Sequence, residues 1–224
     1  MRIQNATMLF LLMLMAISCT EINFPSNPDI VGDDRSITAD RDENWLSYLK
    51  RIFPHEVGTS WTYVATDSGT AYRDTAELAV TGVYLANGSS IVYVLNYVGD
   101  SYPIYDQFGS DGSMFWGGIF THPTLHFPLY VGKGWGFDDR GVPESADTST
   151  VVDNSPIRVP AGYYSEVYHV VRIRRFNRLY FQEDTWFVPH VGVVKDILNT
   201  YSNPDVGVLT LELLSYSKPF VRAH

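Results

Sequence analysis

The stretch FPHEVGTSWTY, from Phe53 to Tyr63, recurs as FPLYVGKGWGF, from Phe127 to Phe137. Both copies read F-P-x-x-V-G-x-x-W-x-aromatic, and the second starts 74 positions after the first, a period long enough for a unit of several strands. The shared residues are those of turns and packing: Val-Gly closes a turn after Phe-Pro, and Trp61 or Trp135 opens a strand whose next same-face residue is aromatic, Tyr63 or Phe137. No acid, base or nucleophile repeats. The phrase therefore predicts two related halves rather than two active sites. Trp61 and Trp135 are expected to be equivalent corner residues, against a stacking pair for a flat ligand.

The period between and after the copies is two. AELAVTGVYLA, Asn87-Gly88 and SSIVYVLNYV predict a hairpin, because Asn-Gly supplies the positive φ angles of a tight turn. VYHVVRIRRF returning through RLYFQEDTWFV predicts a second, and VGVVKDIL with VGVLTLELLSYS a third. Ahead of them Trp45, Leu49, Ile52 and Phe53 share one face of a short helix, with Asp42 as its cap and Pro54 near its end. The expected fold is mainly β: a curved antiparallel sheet, half-barrel or sandwich, built from two related halves with one short N-terminal helix. It occupies residues 45–224 as a single domain, which suits a 224-residue chain that is 45% hydrophobic.

Residues 1–18, MRIQNATMLFLLMLMAIS, place one Arg before an apolar run of about ten residues, the anatomy of an export signal and too short to span a bilayer. Cys19, the only cysteine, follows directly in Ala16-Ile17-Ser18-Cys19. This resembles a bacterial lipobox, with Ala16 where Leu is usual. The resemblance implies cleavage before Cys19 and acyl chains on its sulfur and new amino group, and several chains together hold a protein on a membrane. One cysteine allows no internal disulfide. Residues 19–44, the lipidated Cys and a polar, acidic segment punctuated by Pro and Gly, read as a tether of roughly 25–30 Å average reach. Thr20 after the Cys points to the outer rather than the inner membrane. Loss of the signal removes only Arg2, leaving 15 Lys+Arg against 25 Asp+Glu, or −10, which repels nucleic acid and anionic surfaces.

The segments FPHEVGTSWTY, DGSMFWGG, FPLYVGKGW, VPAGYYSEVYHV and TWFVPHVGVVKD together resemble a family of uncharacterised bacterial lipoproteins and secreted domains, over about Phe53 to Tyr216. Tyr164 stands where that family has Phe, and His190 where it has Gly. The resemblance implies a β fold and an envelope location, with no established activity.

The candidate chemistry is sparse. His122 and His126 have the H-x-x-x-H spacing of two zinc ligands on a helix, but Pro123 and Pro128 oppose a helix and no metal is expected. His55, His169 and His190 are scattered. GKGWG, Gly132 to Gly136, lacks the helix and Lys-Ser/Thr ending of a phosphate loop. Asp138-Asp139, and Asp106 with Asp111, lack EF-hand spacing and read as turn residues. Arg172, Arg174, Arg175 and Arg178 could bind a carboxylate or phosphate, but Glu183 and Asp184 on the returning strand make cross-strand ion pairs the simpler expectation. No catalytic residue and no cofactor is expected. The leading expectation is a non-enzymatic envelope lipoprotein, a binding or structural module held to the membrane through Cys19, with an envelope protein as partner and no nucleic acid. A carrier or sensor of a small hydrophobic ligand in a half-barrel cleft is the alternative, and a hydrolase of envelope polymers a third reading.

Overall fold

A computed structural model describes residues 48, 52, 53 and 56–219, except 71, 87–89, 98–102, 110–111, 116–123, 139–144, 177–178 and 202–206. The first half supplies Ser60–Asp67 (β1), Tyr72–Ala86 (β2), Ser90–Tyr97 (β3), Pro103–Phe108 (β4), Ser113–Phe115 (β5) and Leu125–His126 (β6). The second supplies Gly134–Asp138 (β7), Ser145–Asp153 (β8), Ile157–Val159 (β9), Gly162–Tyr164 (β10), Tyr168–Phe176 (β11), Leu179–Val188 (β12), Gly192–Thr200 (β13) and Leu209–Ser217 (β14). The helix expected from Trp45 to Phe53, the signal segment and the tether lie wholly or largely outside the described residues.

Twelve strands form one antiparallel sheet in the order β6-β5-β4-β3-β2-β1-β14-β13-β12-β11-β8-β7, and β9 with β10 forms a separate hairpin. Each half is thus a six-strand meander laid down in the same direction, and β14, the last strand of the second, pairs with β1, the first of the first. The three hairpins read from the sequence are β2–β3, β11–β12 and β13–β14.

Ring contacts show that the sheet is rolled. Phe108 on β4 and Phe187 on β12 are six strand spacings apart, roughly 29 Å on a flat sheet. Both rings touch Phe53, with centroids at 5.3 Å and 5.4 Å. The two outer strands, β6 and β7, come close enough for His126 and Trp135 to lie 6.4 Å apart. Bulges at Thr62/Tyr63, Val80/Gly82, His169/Val170 and Trp186/Phe187 break the ladder, and each adds local twist and bend, the means by which an antiparallel sheet coils.

The inner face alternates with the outer along every strand, as the period of two requires. On β1 the inward residues Trp61, Tyr63 and Ala65 are buried and those between them are not. Phe53 and Phe127, the first residues of the two phrases, come from outside the strands and fill the hollow, each packing on Phe187, stacked at 5.4 Å and edge-on at 5.3 Å. Around them Leu95, Met114, Leu125, Val151, Val170, Val194 and Leu213 are nearly or wholly buried. The β9–β10 hairpin closes over this core: Val159 is buried, and the Ala161 N–H donates to the Leu213 carbonyl at 2.8 Å, where β14 runs beyond its pairing with β13.

Candidate functional site

Inside the roll, above the phenylalanines, the second half carries a polar layer. The alternation that puts Val170 inward on β11 also turns Arg172 and Arg174 inward. Glu183 stands directly opposite Arg172 on β12, Ser149 opposite it on β8, and Asp147 opposite Arg174. Arg172 is 3% exposed. Its Nε and Nη2 donate to the two oxygens of Asp147, both at 2.7 Å, and its Nη1 lies 3.7 Å from Glu183. A fork of this kind satisfies a guanidinium that water cannot reach. Burial alone would lower the Arg172 pKa, yet the Asp147 hydrogen bonds with the Glu183 and Asp147 charges raise it. Arg174, 3.6 Å from Asp147, is lowered by burial and by the charge of Arg172.

Asp196 on β13 completes the layer. It faces Thr185, whose hydroxyl donates to it at 2.8 Å. Burial, with the Glu183 charge beside it, pushes its carboxyl well above the ordinary carboxylate range. The layer sets Arg172 and Arg174 against Asp147 and Glu183, with Asp196 inclined to hold its proton beside them.

The outer face of the same strands holds a second cluster. His169 stacks flat on Trp186, with centroids 4.2 Å apart and planes 9° from parallel. Its Nδ1 lies 3.1 Å from Asp153 and its Nε2 2.9 Å from Asp184, so the ring links β8, β11 and β12. The Ser155 N–H, and then His169, hold the Asp153 carboxyl below the usual range against the opposing effect of burial. Lys195 sits 5.6 Å from the Trp186 ring and bonds Glu212 at 2.7 Å.

Several sequence expectations change here. Cross-strand pairing of the arginines holds for Glu183, but Asp184 points to the outer face and takes His169 instead, because adjacent residues of a strand face opposite ways. The main partner of Arg172, Asp147, was missed, as were Thr185 and Asp196. Asp147 sits in SADTST, a polar run whose alternation is hidden because its inward residues are themselves polar. Asp106 is a buried mid-strand residue of β4, not a turn residue. The tryptophans are not equivalent. Trp61 is 3% exposed and its Nε1–H donates to the Val191 carbonyl at 2.6 Å, whereas Trp135 is half-buried on the edge strand β7. Phe187, on which both phrases converge, lies within TWFVPHVGVVKD, but nothing in that motif set it apart as the centre of the core.

The remaining candidates separate. Lys133, of GKGWG, donates to the Pro128 carbonyl at 2.9 Å. His190 adopts φ 66°, the left-handed region, and its N–H donates to the Ile52 carbonyl at 2.7 Å. A glycine would suit that backbone better. Among the described residues no group of three His, Cys, Asp or Glu is placed to hold a metal ion. His126 lies on β6; His122, Cys19, His55, Asp111, Asp139 and Arg178 lie outside the described residues. A cavity lined by Phe53, Trp61, Tyr63, Leu78, Leu95, Asp106, Met114 and Val193 has room for about one water.

No family model matches the sequence, and no curated protein is significantly similar to it. Three solved chains are similar in structure. One, a protein of Bacteroides fragilis described as exported and as having a YmcC-like fold, superposes with a TM-score of 0.46 at 15% identity, over 75% of this chain and 99% of its own. Another, a protein of Parabacteroides distasonis described as a lipoprotein, superposes with a TM-score of 0.38 at 13% identity, over 74% and 97%. Superpositions this loose leave the function to be read from this chain's own residues.

Proposed function

We propose that this chain is a non-enzymatic lipoprotein of the bacterial cell envelope, anchored through Cys19 on the outer membrane, whose rolled sheet is a rigid module for contact with an envelope partner. The observation that carries the reading is the filled interior. Phe53, Phe127 and Phe187 occupy the hollow where a carrier would hold an acyl chain, and the cavity beside them has room for about one water. The polar layer above pairs its charges with one another, committing Nε and Nη2 of Arg172 to Asp147 and setting its Nη1 toward Glu183.

Native mass spectrometry of protein purified from a bacterium, together with titration by a fluorescent fatty acid, tests the module against the carrier. The expected result is a bare polypeptide mass apart from the Cys19 modification and no saturable probe binding. A stoichiometric, displaceable lipid would replace the module with the carrier of a hydrophobic ligand. Detergent partitioning of the wild type beside Cys19→Ser tests the anchor separately: only the wild type should enter the detergent phase.

A further inference from the structure

Six of the eight large apolar side chains exposed among the described residues gather at one end of the rolled sheet. Strands β1 and β7 are six places apart in an antiparallel order, so they run the same way and the turns preceding them lie at the same end, where β8, β12 and β14 terminate. Val57 and the Tyr130-Val131 pair sit in these turns, Val152 is next to last in β8, and Leu214 lies beside the β1–β14 bulge. Tyr163 stands on the outer side of the β9–β10 hairpin, opposite Arg158, while Val159 points into the core. Exposures run from 42% to 59%. Of the other two, Val83 lies on the part of β2 that runs past β1, and Tyr201 lies at the opposite end.

The cations at this end are arranged with the tyrosines. Lys133 lies 5.8 Å from the Tyr130 ring, Arg158 5.6 Å from Tyr163 and Lys218 5.9 Å from Tyr216. Among the described residues Glu56, Asp153 and Glu166 are here too, balancing these three cations in a chain whose formal charge is −9. Ile52, 33 positions beyond Cys19 in the sequence, is also here: its carbonyl accepts from the His190 N–H in the turn after β12.

We propose that this end rests on the surface of a phospholipid bilayer, with the valine and tyrosine side chains at the acyl boundary and Lys133, Arg158 and Lys218 toward the phosphates. The proposal rests on the anchored-lipoprotein reading above. Isolated apolar tips spread around a rim, without a groove, suit a fluid surface better than a shaped protein partner. Tyrosine beside long-stemmed cations is the chemistry of a membrane interface, where an apolar body and a polar head are both satisfied. Such contacts are individually weak, but a chain held by a short tether presents them at high effective concentration. Near-neutrality matters because the rest of the molecule would repel an anionic surface.

The test uses the mature full-length chain with Cys19→Ser, so that no acyl group contributes, and one engineered cysteine carrying an environment-sensitive dye. Val131→Cys places the dye at the proposed contact, and Tyr201→Cys places it on an equally exposed residue at the opposite end. Each is titrated with vesicles of phosphatidylethanolamine and phosphatidylcholine. Emission from position 131 should shift to the blue and be quenched by doxyl-labelled lipid, while position 201 stays unchanged. Reversing Lys133 and Arg158 to Glu, which sets carboxylates against the lipid phosphates, should raise the lipid required. No change at 131 up to millimolar lipid, or equal changes at both positions, overturns the proposal. Loss of the anchor reading would appear elsewhere, as wild-type protein that remains in the aqueous phase of the detergent partition.

Discussion

The two turns that open β1 and β7 are built alike, and the residues that follow them are not used alike. In the first, the Gly58 N–H donates to the Val80 carbonyl at 2.9 Å, the Val80 N–H to the Thr59 carbonyl at 2.9 Å, and the Thr59 N–H to the Glu56 carbonyl at 2.8 Å. In the second, Gly132, Val151, Lys133 and Tyr130 make the same three bonds at 2.8, 2.9 and 3.0 Å. The glycines have φ 93° and 90°, and the valines before them are 51% and 49% exposed. Beyond the glycine the copies part. Thr59 is wholly buried, whereas Lys133 reaches back along its own turn; Trp61 is buried and Trp135 is not. The difference lies in the neighbours. β1 has β2 on one side and β14 on the other, and Tyr216 stacks on Trp61 at 5.9 Å. β7 is an edge with β8 alone beside it. A repeated phrase fixes a repeated turn because its hydrogen bonds are local, but burial depends on what the rest of the sheet brings alongside.

The largest effect should separate the tryptophans. Trp61→Ala removes a buried ring and an indole hydrogen bond and should cost roughly 3–5 kcal/mol. Trp135→Ala, on a half-buried edge, should cost about 1–2 kcal/mol. Thermal unfolding of the two variants reads this directly, and equal losses would restore the symmetry that the structure breaks.

The glycines should behave as a pair. Alanine at φ near 90° is strained in either turn, so Gly58→Ala and Gly132→Ala should each cost about 1–2 kcal/mol. Gly58 should be slightly the worse, since its new Cβ would meet Pro219 at 3.3 Å whereas at Gly132 nothing lies within 4 Å. Denaturant midpoints measure this, and tolerance of alanine in one turn alone would mean that the turns differ in solution.

The buried layer of the second half should show itself through pH. The folded Asp196 holds its proton more tightly than the unfolded chain does, so stability is lost as pH rises from the unfolded value of about 3.9 toward the higher folded one. Asp196→Asn keeps an acceptor for Thr185 and removes that loss. The variant should therefore gain on the parent at pH 8 and progressively less as pH falls toward 4, in urea midpoints taken across the range. A gain independent of pH would show that Asp196 is ionised in the fold.

The smallest effect is expected at His190, which holds φ 66° in the turn on which Trp61 and Ile52 hang. His190→Gly should stabilise by about 0.5–1 kcal/mol, the strain relieved exceeding the backbone entropy added. A calorimetric melting temperature that falls instead would mean that the His190 side chain contributes more than its backbone costs.

The three hairpins, the paired turns and the mainly β class were legible because each rests on neighbours in sequence: an alternation of period two, an Asn-Gly, a Val-Gly before a tryptophan. Glu183 could be named as a partner of Arg172 from the hairpin alone. Asp147 could not, since it reaches Arg172 from β8, across a polar strand with no apolar stripe to reveal its inward face. Asp196 is opposite Thr185 only because a bulge at Trp186/Phe187 shifts the register by one residue, a displacement that no spacing in the sequence announces.

By itself the sequence determined the three hairpins, the paired turns and the alternation of the apolar strands, because backbone sterics and side-chain alternation act within a few residues. The tertiary structure decided the rest. Rolling twelve strands until Phe53 meets Phe108 and Phe187, and Phe187 meets Phe127, filled the interior with ring pairs each more than fifty residues apart in the chain, and it placed one tryptophan in the middle of the sheet and its twin at the edge. Those outcomes depend on strand order and closure, which are set by the burial available to the whole chain rather than by any one segment of it.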